Sequence, residues 1–442
     1  MTLPSIITAQ LIVNIIVCVI VIHIVLVGAG LLLWQERKLS AYVQDRIGPN
    51  RVGFDLIPQL SFLKGLVGLG QGLADGLKLF LKEDYTPRRV DKVLFLLAPG
   101  VMVIPALIGF IIIPWGGAFN FPAIDLSFIS SGMMLPGGVV HVAGANFNVG
   151  VVYLLAVASL GVYGVTLGGW AANNKYSFLG GLRATAQMIS YEIPMGLSIL
   201  AVLLLVGSLL PEAIIKYQVS HGWLIATQPV SAVIFFIAIM AEANRAPFDN
   251  AECEQELVGG YHTEYSSMRF ALFILAEYAH LIVSCAFFSL LFLGGYHLPF
   301  IGALDPTATG LVAVLAKCAV FGLKAYLLVS LMMLIRWTIP RLRYDQIMSA
   351  GWQGLIPASL LVVVVTAVMV YLDLRSLPLM LLANVGVLVV ILAVQPILPK
   401  NNPNKRVQLY GSRFSPMDDE RVRTQSAEAM ALADRPEHAV AR

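Results

Sequence analysis

A series of long apolar runs that carry almost no charge governs what this chain can become. Residues 8–33 contain no Asp, Glu, Lys or Arg, and a run of that length exceeds the roughly 20 residues a helix needs to cross a bilayer. Nine such runs are predicted, at 8–33, 93–114, 149–171, 184–210, 229–243, 268–293, 311–335, 355–372 and 377–398. The fifth is short and extends to Glu242 and beyond. Over 442 residues the chain is 58% hydrophobic and 12% charged, too little polar surface to wrap a water-soluble globule of this size. The expected fold is all-α, a polytopic transmembrane helical bundle over 1–400 with a polar tail over 401–442. The first run reads as a retained span: it lacks a basic segment before it and ends in Arg37-Lys38 instead of a small-residue cleavage site.

The distribution of lysine and arginine sets the expected orientation. The first ten residues have none, whereas the loop after the first run carries Arg37, Lys38, Arg46, Arg51, Lys64, Lys78, Lys82, Arg88, Arg89 and Lys92. Residues 115–150 again have none. Lys175, Arg183, Arg245, Arg269, Arg336, Arg341 and Arg343 fall on the side of the first basic loop. The N-terminus is therefore expected outside and the C-terminus on the cytoplasmic side. Cys18, Cys253, Cys285 and Cys318 are scattered, with no ligand spacing, so they read as packing residues rather than a cluster site or a disulfide framework. The seven histidines show no HxxxH or HxxE pairing, and no metal site is expected.

Within the basic loop, Leu56 to Lys82 has apolar residues at helical spacing interrupted by Lys64, Asp75 and Lys78. This predicts an amphipathic segment lying along the membrane plane. Gly68, Gly72 and Gly76 are four apart, a spacing that suits close helix packing better than a phosphate loop, since no strand precedes them. In the tail, Ser415-Pro416 followed by Asp418, Asp419 and Glu420 has the form of a helix start.

The chemistry concentrates in acids. Between Glu242 and Ser267 stand Asp249, Glu252, Glu254, Glu256 and Glu264, with Arg245 as the only basic side chain. Glu192 and Glu277 fall inside apolar runs, as do Lys317 and Lys324, seven residues apart and on one helical face. Pro194, two residues after Glu192, frees a backbone carbonyl. Ionisable groups at membrane depth cost several kcal/mol on insertion scales, so these should face the bundle interior, paired or hydrated, and mark a proton path by default. Glu192, Glu242 and Glu277 are the expected relay, with the lysines as candidate basic partners.

Five segments in order carry a resemblance: Glu36-Arg37-Lys38 through Gln44-Asp-Arg46-Ile-Gly48-Pro49-Asn50-Arg51; Leu73-Ala-Asp75-Gly-Leu-Lys78; Gly180 through Pro194; Glu242-Ala-Asn-Arg-Ala-Pro-Phe-Asp249 through Ser267; and Pro340-Arg341-Leu-Arg343-Tyr-Asp345-Gln346. Together they resemble the H-subunit family of the proton-pumping NADH:quinone oxidoreductase, respiratory complex I, from about Trp34 to Leu355. The resemblance implies a membrane subunit that docks the peripheral arm and forms the entrance and floor of a quinone chamber. It places Arg37, Arg46, Arg51, Asp75 and Lys78 around the entrance. It puts Arg245, Asp249, Glu252, Glu254 and Glu256 at the deep end, with Glu192, Glu242 and Glu277 beginning a carboxylate path. No cofactor would bind this chain; quinone is the substrate, and FMN and iron–sulfur clusters would lie in partner subunits. Its partners would be peripheral quinone-site and iron–sulfur subunits, membrane-arm subunits and membrane lipid, with NADH reached only through them and no nucleic acid. Ser61 to Gly72 resembles an insertion relative to the family pattern, and the ninth run and tail extend beyond its shorter members. Three other readings remain open here: the anchor subunit of a membrane-bound hydrogenase or a ferredoxin- or F420-linked complex, a stand-alone ion transporter, and a purely structural anchor.

Overall fold

A computed structural model describes residues 8–53, 67–125, 134–135, 137–299, 301 and 304–394. The helices are α1 (Ala9–Val43), α2 (Gln71–Leu81), α3 (Lys92–Ile108), α4 (Gly150–Ala171), α5 (Lys175–Val206), α6 (Pro211–His221) and α7 (Leu224–Thr227). They continue as α8 (Pro229–Glu242), α9 (Glu254–Leu257), α10 (Ser267–Phe292), α11 (Leu311–Thr338), α12 (Tyr344–Ser349), α13 (Ile356–Tyr371) and α14 (Leu377–Val394). One compact unit covers Met1–Leu392; of the second, Ala393–Arg442, the described residues reach only Val394. The expected tail helix near Ser415 lies outside the described residues, as does the first half, 61–66, of the Ser61–Gly72 segment.

Among the described residues, eight helices are long and apolar enough to cross a membrane. The remaining run, 229–243, folds as α8 of 14 residues, about 21 Å at 1.5 Å per residue and too short to span alone. It is preceded by the single turn α7, and the break falls at Gln228, before a proline at the first helical position of α8. Asn384 Nδ2 on α14 satisfies the break by donating to Thr227 O at 3.0 Å, the partner supply that irregular backbone at membrane depth requires, and Gln228 Nε2 ties it to α5 and α13 through Ala201 O at 3.1 Å and Thr366 Oγ1 at 3.3 Å. The fourth span begins earlier than its apolar pattern suggests, at Lys175, where Asn174 caps Tyr176 N at 3.0 Å. Glu192 consequently sits mid-helix and not near an end. The eighth run is part of a span that starts at Tyr344 and passes through a π-type turn at Ala350–Leu355.

Among the described residues, two antiparallel ladders interrupt the helices in the 115–149 connection. β1 (Ala118–Phe121) pairs antiparallel with β4 (Gly138–His141), and β2 (Ile124–Asp125) with β3 (Met134–Leu135). No periodicity in the sequence announces them. α2 realises the in-plane segment from Gln71 onward: its Leu73, Leu77 and Phe80 are exposed, and none of its residues is buried. It meets α1 at a close crossing, where a Cβ on Gly72 would come within 2.9 Å of Gly30 O, so the expected glycine packing holds at Gly72.

Candidate functional site

The end of α1, the middle of α10 and the connection between α8 and α10 converge on one charged centre. Glu36, about one turn beyond the charge-free run, is the hub. Its Oε2 lies 3.3 Å from Arg245 Nη1, while Arg336 and the Tyr278 hydroxyl donate to it directly. Arg245 Nη2 stands 3.6 Å from Glu277 Oε2, and the guanidinium lies 4.3 Å from the centre of the Tyr278 ring. Two carboxylates and two guanidiniums therefore balance. At about 4 Å and an effective dielectric of 20 each pair attracts by about 4 kcal/mol gross, which desolvation largely offsets; net stability is a weak reason to keep such a group.

Tyr261 adds the proton chemistry. Its hydroxyl lies 2.7 Å from Glu277 Oε1 and 3.0 Å from Glu252 Oε1, yet a phenol has one hydrogen to give. Both contacts are hydrogen bonds only if one carboxyl carries a proton. Burial, and then the negative charge of Glu277, pushes the Glu252 carboxyl well above the usual range. The arrangement is a protonated Glu252 donating to Tyr261, which donates to ionised Glu277. Charge balance agrees, because an ionised Glu252 would leave the centre with a net negative charge. Burial likewise holds the Tyr261 phenol protonated and depresses His262, whose Nδ1 lies 3.7 Å from Glu252.

Backbone geometry brings Tyr261 to this position. Gly260 has φ +59°, and a Cβ there would lie 1.7 Å from Ala251 O, a clash no side chain survives. Val258, β-branched, is held at φ 65°, an uncommon conformation for its type. Gln187 on α5 fastens the start of the same connection through Ala241 O at 2.8 Å and Phe248 O at 2.8 Å.

Glu242, buried at the end of α8, faces His280 Nε2 at 3.5 Å. It shares with Glu277, Asn244 and His280 a cavity of about 20 Å³, room for one water. Asp249 is clamped by Arg341 at 2.8 Å, and Arg341 also reaches Gln255 at 2.9 Å; burial raises the Asp249 carboxyl despite that cation. Glu256 pairs with Arg183 at 2.5 Å, and Glu254 is exposed. Glu192 stands apart, with Ser159 on α4 as its hydrogen-bond partner among the described residues. Around α2, Asp75 binds Arg37 at 2.7 Å and Lys78 at 3.9 Å, while Arg46 and Arg51 are exposed with no ion pair among the described residues.

The embedded lysines are not partners of these acids, contrary to expectation. Lys317 donates to Ala308 O at 2.5 Å, and Lys324 to the carbonyls of Leu293, Gly295 and His297 at 2.6, 2.9 and 2.6 Å. Residues of the centre that the sequence did not single out for it are Glu36, Tyr261, Tyr278, His280, Arg336 and Arg341. Glu36 and Arg336 had a signal, as the first charges after apolar runs. A separate cleft of about 610 Å³, apolar throughout, runs between α1 and α11. Gly28 lines it, while Gly30 meets α2, so the cleft and α2 occupy different sides of α1.

A family model described as NADH dehydrogenase matches residues 15–367. The NADH-quinone oxidoreductase H-subunit of Flavobacterium johnsoniae is 39% identical over 355 residues, covering 80% of this chain and 94% of its own length. The chain belongs to the NADH-quinone oxidoreductase H-subunit family. The H-subunit of Protochlamydia amoebophila is 45% identical over 340 residues (77% and 92% covered), and the first of the numbered H-subunits of Geobacter sulfurreducens 42% over 356 (80% and 94%). The family match contains the whole charged centre, Glu36 to Arg341, and the eight long apolar helices make the chain a multi-pass membrane protein by length and composition.

Proposed function

We propose that this chain forms the quinone entrance and chamber of a proton-pumping NADH:quinone oxidoreductase, docks its peripheral arm, and couples quinone reduction to proton movement through Glu252, Tyr261, Glu277 and Glu242. Family membership makes it a membrane subunit of that oxidoreductase. The observation that carries the coupling is the single hydroxyl of Tyr261 shared between Glu252 and Glu277, beside a centre whose charges balance only with one proton held.

Reduction of a quinone takes two electrons and two protons, and negative charge develops before the protons arrive. A negative charge near Arg245 competes for that cation and weakens its hold on Glu277. The proton on Glu252 then moves through the Tyr261 hydroxyl to Glu277, which hands it across the small cavity to Glu242 and His280. Glu252 is refilled from the acidic connection, where Asp249, Glu254 and Glu256 lie. Glu192 would extend the path from α5 toward neighbouring membrane-arm subunits. Arg37, Asp75 and Lys78, with Arg46 and Arg51, would border the entrance beside α2. Electrons would come from NADH through FMN and iron–sulfur clusters in partner subunits. The lysine and arginine pattern supports an external N-terminus and a cytoplasmic C-terminus in a bacterial inner membrane.

The test is to tag the C-terminus, extract the chain from its own membrane in mild detergent, and assay what co-purifies. Flavin and iron–sulfur partners with inhibitor-sensitive NADH:quinone reduction are expected. A hydrogenase-type partner set, or a stable isolated chain that moves ions, would overturn the reading.

A further inference from the structure

The opposite end of the bundle holds a second set of titratable groups, outside the path from Glu252 to Glu242. α10 ends at Phe292, beside Lys324. That position lies 13 residues along α11 from Leu311, about 20 Å. The carbonyls of Leu293, Gly295 and His297 beyond that helix end would be orphans at membrane depth, and the Lys324 ammonium satisfies all three. Lys324 is thus consumed by structure. Lys317, one heptad nearer the start of α11, is not. It is fully buried, has three N–H donors, and finds one carbonyl, Ala308 O, among the described residues.

Its ammonium lies 5.3 Å from the ring centre of Tyr296. Tyr296 is itself fully buried, and its hydroxyl has no hydrogen-bond partner among the described residues. That hydroxyl lies against Gly117, where a Cβ would come within 2.9 Å of it. Gly117, His141 and Glu212 line a cavity of about 10 Å³, at the lower limit for a water. Glu212 is buried, with Oε2 2.9 Å from His141 Nδ1 and Oε1 3.7 Å from Lys216. The His141 side chain is 40% exposed. Gln10, at the start of α1, fixes the His141 backbone at 2.8 and 2.9 Å, and Glu36 lies 26 residues further along α1, about 39 Å away.

We propose that Lys317, Tyr296, Glu212 and His141 form a proton exit at the end of the bundle opposite the Arg245 centre. It rests on the reading of this chain as proton-conducting. The Lys317 ammonium releases a proton toward the Tyr296 hydroxyl, which accepts it and gives up its own. Glu212 takes that proton and passes it to the His141 imidazole, whose exposed ring nitrogen releases it to solvent; one proton enters and one leaves. Burial and then the charge of Glu212 keep the Tyr296 phenol protonated, so it relays without storing charge.

The assembled complex, reconstituted in sealed vesicles, decides the matter through protons translocated per electron pair, comparing Glu212→Gln, Lys317→Met and His141→Gln with Glu212→Asp. The first three are expected to lower that ratio by about a quarter or more, and Glu212→Asp to restore it. A structural defect would slow turnover at an unchanged ratio. If Glu212→Gln or Lys317→Met fails to assemble, His141→Gln, at a half-exposed side chain, decides alone. An unchanged ratio in the variants that assemble overturns the exit. A ratio that falls in Glu277→Gln but not in these variants removes only the exit, whereas a ratio unchanged in Glu277→Gln as well removes the proton path itself.

Discussion

Glu277 and Glu192 look alike in the sequence, each a carboxylate inside an apolar run, and the fold gives them different lives. Glu277 on α10 meets Arg245, Tyr261 and a cavity shared with Glu242. Glu192, mid-way along α5, is half-buried and meets Ser159. The difference lies in which acid the long connection after α8 reaches: its backbone packs on α5 at Gly180, 12 residues from Glu192, and it directs Arg245 and Tyr261 onto Glu277 of α10. An acid at membrane depth becomes a switching centre when a loop supplies both a countercharge and a second proton carrier, and a single hydroxyl supplies neither.

Removing the countercharge should separate the two most. Arg245→Ala leaves Glu36 with Arg336 alone and Glu277 with no cation, and breaking a buried pair this way costs about 3–5 kcal/mol; the yield and thermal midpoint of the assembled complex should drop accordingly. Tyr261→Phe comes next. It leaves two carboxyls without their shared hydroxyl, costs about 1–3 kcal/mol, and should reduce coupled quinone reduction about tenfold or more while NADH oxidation by an artificial acceptor persists, because general acid–base relays contribute at least that much.

The protonation state of Glu252 gives a sharper, smaller signal. Its folded pKa is raised, so the protonated form is stabilised at low pH and that stability is lost as pH rises through the folded value. An infrared band of a protonated carboxyl should persist at neutral pH, fade on further alkalinisation, and vanish in Glu252→Gln. A neutral-pH spectrum identical in that variant would contradict the charge balance. Smallest of all, Glu192→Gln and Ser159→Ala should each change stability by about 1 kcal/mol or less and lower the proton yield per electron pair less than Glu277→Gln does. Equal losses would dissolve the contrast between the two acids.

How far the sequence foretold this follows from range. Membrane spans, and acids that must be sheltered within them, are local and were legible: Glu242, Arg245, Glu252 and Glu277 do converge. Glu36 and Arg336 are 300 residues apart in the chain, and no periodicity encodes their meeting. The same holds for Tyr261, whose position depends on Gly260 and on the carbonyl of Ala251. The lysines misled because their pattern looked like countercharge, whereas α10 ends inside the bundle and its free carbonyls claim Lys324 first. α8 is short for a related reason: the break before it is satisfied by Asn384 and tied down by Gln228, long-range partners that hydropathy does not register.

The most direct test of coupling through Glu277 is the number of protons translocated per electron pair by the assembled complex carrying Glu277→Gln, measured in sealed vesicles beside its rate of quinone reduction. A lower ratio, with NADH oxidation by an artificial acceptor intact, is the predicted result. A fully assembled variant that reduces quinone and pumps at the unaltered ratio would contradict it.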